Sequence, residues 1–196
     1  MFNDLYSLTK AVLEGRKTMT RRLVQSNNIV EIKTSDGVIH HVDGSCGSYH
    51  QYTDKDGKVW LSWSPYKVGE VVAIAQPYKD IINEILIRDK YETDIATLVY
   101  KKHKGWNNKM FVRADLMPHR IQITDIKLER LHDISDEDCI KEGITFVDKF
   151  LYSFEGINEG FLDANEAFAR LIDEISGKGT WESNPFVFAY TFKLVD

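Results

Sequence analysis

The chain has 196 residues, 43% apolar and 28% charged, the balance of an ordinary globular domain with one core rather than two. Its net charge of −5 excludes a nucleic-acid-binding field spread over the whole surface, so any such contact rests on a local basic patch. No apolar run approaches the roughly 20 residues of a membrane helix, and MFNDLYSLTK lacks a basic-then-apolar signal pattern.

In chain order, Leu5, Leu8 and Val12 sit at helical spacing with Leu13 alongside. They predict an opening helix that Asn3 or Asp4 caps. Gly15 stops it, so residues 16–22 leave a helix C-terminus as a loop or strand. Residues 29–33 and 38–42 alternate around Ser35-Asp36-Gly37, a hairpin signal. Asp54-Lys55-Asp56-Gly57 precedes a strand at 59–63, in which Trp60 and Trp63 are expected to pack. Residues 66–70 form a turn leading into a strand at 71–75. Further on, Ile85 and Ile87 predict one strand and residues 96–100 another.

Residues 120–128 read as a strand whose alternation slips near Thr124-Asp125, the mark of a bulge. Ser135 with Asp138 opens a short helix over 136–142, before Gly143. Asp163 with Glu166 is a stronger capping box, followed by the apolar stripe Phe168, Leu171, Ile172 and Ile175. The chain closes on Phe186, Phe188, Tyr190, Phe192 and Leu194, one core-facing side of a strand. These elements predict an α+β fold over 1–196, a small mixed β-barrel with flanking helices and β-ribbon insertions, and not a doubly wound sheet. The insertions fall at about 24–65 and 78–110.

Residues 15–22, GRKTMTRR, hold four cations, Arg16, Lys17, Arg21 and Arg22, and two hydroxyls, Thr18 and Thr20. One or two cations there complement a helix dipole. Four in an acidic chain point to a site for an anion or polynucleotide, against the alternative of a solvated charged face. His40, His41, Cys46 and His50 are zinc-type ligands. Adjacent His40 and His41 point to opposite faces of a strand, so a surface ribbon is expected there and no metal. Lys101, Lys102, His103, Lys104, Trp106 and Lys109 mix cations with an aromatic, as in single-stranded nucleic-acid contacts or a solvated loop. Cys46 and Cys139 form no disulfide framework or paired-cysteine zinc motif. No Walker loop, dinucleotide fingerprint or serine elbow is present. The expectation is a cytoplasmic protein without cofactor or membrane attachment.

Residues 11–22, AVLEGRKTMTRR, resemble the opening motif of the ASCH domain family, a relative of the PUA fold. Residues 66–74, YKVGEVVAI, resemble its glycine turn and barrel strand. Residues 120–131 and the following HDISDEDCIKEGI resemble its later strand and short acidic helix, and WESNPFVF at 181–188 the lead-in to its last strand. Ala75-Gln76-Pro77 departs from the Arg-Glu that relatives often carry, and residues 24–65 and 78–110 match nothing in the family. The resemblance implies a compact β-barrel with a cleft for RNA or a modified nucleoside. Some members are amidohydrolases that deacylate cytidine acetylated on its exocyclic amine, which implies catalytic roles for Lys17, Thr20 and Glu142. Arg16, Arg21, Arg22 and Gln76 are the corresponding candidates for holding the ligand.

The chemistry of that trio is self-consistent. A threonine hydroxyl needs a base to become a nucleophile. A lysine amine serves once its pKa falls from about 10.4 toward neutrality, through burial or neighbouring cations. Glu142 would pass a proton to the leaving amine or hold Lys17 in place. Two alternatives stay open: a non-catalytic RNA-binding module using the same cleft, and a phage or prophage accessory protein whose insertions bind a protein partner.

Overall fold

A computed structural model describes residues 2–25, 28–32, 48–89, 93–148 and 150–195. Along the chain the elements are α1 (Leu8–Leu13), β1 (Met19–Leu23), β2 (Ile29–Ile32), β3 (Ser48–Thr53), β4 (Val59–Ser64), β5 (Val71–Ala73), α2 (Tyr78–Asp89) and α3 (Thr93–Lys101). They continue with β6 (Arg120–Arg130), α4 (Asp136–Lys141), β7 (Thr145–Asp148), β8 (Leu151–Ser153), α5 (Ala164–Ser176) and β9 (Phe186–Val195).

The α+β expectation holds. Its centre is an antiparallel sheet of order β1-β9-β6-β5 that curls into a half-barrel, with β1 and β5 as its edges. Thr20 pairs with Tyr190, and Val72 with Ile121. The register between β6 and β9 shifts between Ile123 and Asp125, where the alternation slips in the sequence. The aromatic stripe of β9 is core as expected, but the other face is buried too. Phe186, Phe188 and Tyr190 cluster with Ile123, Ile126 and Leu128, whereas Val187, fully buried, packs with Phe168 and Leu171 of α5. A strand covered on both sides reads as apolar throughout its buried half.

A second antiparallel sheet, β2-β4-β3, covers the first of those faces. Trp60 and Tyr52 meet Phe186 at ring distances of 5.2 and 5.5 Å. This is the expected ribbon, and Trp60 packs rather than standing exposed. The hairpin turn at Ser35-Asp36-Gly37 and the strand at 38–42 lie outside the described residues.

Two expectations are corrected. Ile85 and Ile87 belong to helix α2, and residues 96–100 to helix α3. A strand would turn Ile85 and Ile87 to one side, yet Ile85 is 1% exposed and Ile87 79%. Tyr78, Ile81, Ile82, Ile85 and Leu86 are all buried, which is helical spacing. The opening helix is also shorter than its pattern. Asn3 Oδ1 accepts from the Leu5 N–H, forming a turn ahead of α1, and Leu5 is exposed. Among the described residues, no helix is long and apolar enough to cross a membrane.

Candidate active site

Two glycine-terminated helices deliver the candidate residues. After α1, the Arg16 N–H donates to the Ala11 carbonyl at 2.9 Å and the Gly15 N–H to that of Val12 at 3.0 Å. After α4, the Ile144 N–H donates to Cys139 at 3.2 Å and the Gly143 N–H to Ile140 at 3.0 Å. Both are Schellman caps, which need a residue at positive φ; Gly15 has φ +73° and Gly143 +109°. The Thr18 N–H donates to the Lys141 carbonyl at 3.0 Å, tying the two exits together. A Cβ on Gly143 would stand 3.2 Å from Leu8 Cδ2 and 3.8 Å from Lys17 Cδ. Chain direction and close approach thus bring Lys17 and Glu142, distant in sequence, to one point.

Lys17 is 2% exposed and Glu142 4%. Lys17 Nζ donates to the Glu142 carbonyl and to its Oε2, each at 2.6 Å. Arg21 completes a buried network: its Nε donates to Glu129 Oε1 at 2.8 Å, Nη2 to Asp138 Oδ2 at 3.1 Å, and Nη1 to Glu142 Oε1 at 3.3 Å. Lys127 and Lys141 pair with Glu129 and Asp138 at 2.7 and 2.9 Å from the outer side. Such burial is tolerable only because each charge has partners.

The electrostatics follow from that geometry. Burial pushes the Lys17 amine below its ordinary value; contact with Glu142 opposes this, and Arg22 and Arg21 reinforce it. Burial acts to lower Arg21 as well, but Glu142 and Glu129 outweigh it and hold the guanidinium up. Asp138 is held below its ordinary value: burial acts the other way, but the hydrogen bonds from Lys141 and Arg21 prevail.

A cavity of about 510 Å³ opens against this network. Lys17, Thr20, Arg21, Arg22 and Glu142 all line it, with Phe168 and Lys109. Thr20 and Arg21 alternate across β1, and both reach one cavity because β1 is an edge strand. Arg16 stands apart: it is exposed, its Nη2 pairs with Glu14 at 2.6 Å, and it lines a separate depression beside Gly143 and Phe154. Gln76 does not line the larger cavity. Its N–H donates to Met117 Sδ at 3.3 Å, and its buried Oε1 has no hydrogen-bond partner among the described residues.

Three contributors escaped sequence reasoning. Glu129 is 1% exposed and pairs in register with buried Val187. Its parity relative to Leu128 places it on the opposite face, which is informative only once that face is known to be covered. Asp138, singled out only as a cap partner, binds Arg21 from α4. Lys109, grouped with the polar loop, pairs with Asp4 at 2.8 Å and donates to the Phe2 carbonyl.

Among the described residues, no group of three or more His, Cys, Asp and Glu is arranged to hold a metal; His40, His41 and Cys46 lie outside them. No family model, no curated protein and no solved structure matches the chain. The arrangement itself is a buried amine of lowered pKa against a carboxylate, in the wall of a cavity that also holds a hydroxyl. Those are the parts for base-assisted nucleophilic attack followed by proton return.

Proposed function

We propose that this chain is an ASCH-type protein, with a PUA-like half-barrel, that acts on RNA or a modified nucleoside and hydrolyses the acyl amide of an N-acylated cytosine-type base. The observation that carries this reading is the 2.6 Å contact of Lys17 with Glu142 in a cavity wall that also includes Thr20. The lowered pKa of Lys17 favours its neutral amine, the form that acts as a base. Lys17 takes the Thr20 proton as Thr20 Oγ attacks the acyl carbon. That proton passes from Lys17 through the Glu142 carboxylate to the departing nitrogen, and the C–N bond breaks. Water then cleaves the Thr20 ester, releasing the carboxylic acid and restoring the hydroxyl. Arg22, in the same wall, stabilises the oxyanion.

The test is incubation of the full chain with 4-acetylcytidine beside a Lys17→Ala control, with RNA binding measured across salt concentrations. Deacylation that the control lacks supports the reading. A second reading has its own observation: Lys17 Nζ also donates to the Glu142 backbone carbonyl, as a purely structural brace would. No deacylation at high enzyme concentration, combined with salt-sensitive RNA binding, favours that non-catalytic module. Loss of both favours a protein-binding accessory role.

A further inference from the structure

A smaller cavity, of about 210 Å³, is lined by residues of all four strands of the sheet. Thr20 and Arg22 contribute from β1, Tyr190 and Phe192 from β9, Ile123 from β6 and Val72 from β5. Thr20 and Arg22 also line the larger, ionic cavity, whereas Lys17 and Glu142 line only the larger one. Thr20 therefore stands on the ridge between the two.

We infer that the smaller cavity is an acyl pocket built for chains longer than acetyl, an inference that rests on the amidohydrolase reading. With the reacting carbon at Thr20 Oγ, the departing nitrogen must face its proton donor, Glu142. That directs the polar nucleoside into the ionic cavity, past Lys17, Lys109 and Asp4. The acyl chain is left to run the other way, over Val72, Ile123 and Phe192. Of the two tyrosines lining that side, Tyr66 and Tyr190, the Tyr190 hydroxyl is engaged by Ser64 Oγ at 3.0 Å. A dry apolar cavity of roughly 150 Å³ accepts benzene, so about 210 Å³ leaves an acetyl methyl with most of the space unfilled. Each further methylene buried there raises affinity about fourfold.

The experiment measures calorimetric binding of N4-methyl-, N4-butyl- and N4-hexylcytidine, which carry no cleavable amide, to the full chain. Turnover of acetyl-, butyryl- and hexanoylcytidine is measured in parallel. The expected result is a gain of about fifteenfold in affinity from butyl to hexyl, with kcat/KM rising along the acyl series. Ala75 also lines the pocket, and Ala75→Leu removes the hexyl gain while N4-methylcytidine binding stays within about twofold. Affinity that is flat or falls with chain length overturns the acyl pocket even where acetylcytidine is turned over. A hexyl gain that survives Ala75→Leu overturns it too, because the chain then lies elsewhere. Rising affinity without turnover supports the pocket and overturns the hydrolytic reading instead.

Discussion

Lys17→Met keeps the length and most of the volume of the side chain and removes its charge. Both hydrogen bonds of Lys17 Nζ to Glu142 are lost, leaving a carboxylate that is 4% exposed. Removing one partner of a buried pair costs about 3–5 kcal/mol. Arg21 Nη1 remains 3.3 Å from Glu142 Oε1, which sets the expectation at the lower end, about 3 kcal/mol. In urea unfolding followed by tryptophan fluorescence, the midpoint falls by about 1.5 M if m is about 2 kcal/mol/M, with m unchanged. A Lys17→Met, Glu142→Gln double variant costs less than the sum of the singles. The pH dependence has a definite sign. The folded pKa of Lys17 is below the ordinary 10.5, so between those two values the unfolded chain binds more protons. Wild-type stability therefore carries a component that rises with pH toward 10.5. The variant lacks that component. A cost below about 1 kcal/mol, well under the range for a broken buried pair, or identical alkaline slopes for the two proteins, would refute the reasoning.

Gly15→Ala and Gly143→Ala both place a side chain at positive φ, at about 1 kcal/mol each, or 2–4 °C in Tm. Gly143→Ala also meets Leu8, whereas a Cβ at Gly15 meets nothing within 4 Å, so calorimetry finds the larger Tm loss for Gly143→Ala. Asp138, held below its ordinary 3.8, contributes stability above that pH and loses it as pH falls through the folded value. Asp138→Asn accordingly flattens the acid limb of stability measured against pH. Burial pushes the Cys139 thiol up to about 12, so in a Cys46→Ser background a thiol reagent at pH 8 labels only unfolded chains.

Legibility followed periodicity and failed where long-range register decides. The β9 stripe, the α5 stripe, the β6 bulge and the glycine stops at Gly15 and Gly143 each carry a local signal, and the structure has all of them. Around α2 the local signal misleads, because Ile85 and Ile87, taken as a pair, mimic a period of two. The longer spacing from Tyr78 to Leu86 carries the helix. Within the site, the cluster at 15–22 was legible as charge but not as geometry. Arg21 and Arg22 are adjacent in a strand and so diverge: Arg21 is committed to Glu129, Asp138 and Glu142, while Arg22 lines both cavities. Glu129 had no readable role because its partner lies on another strand, 108 positions away.

Thr20→Val gives the most direct test of the central claim. It removes only the hydroxyl, keeps the branched shape and suits an edge strand. With stability confirmed by urea unfolding, the account predicts that 4-acetylcytidine deacylation falls by about a thousandfold or more relative to the wild type. A rate within about tenfold of the wild type, far short of what losing a nucleophile costs, would contradict it.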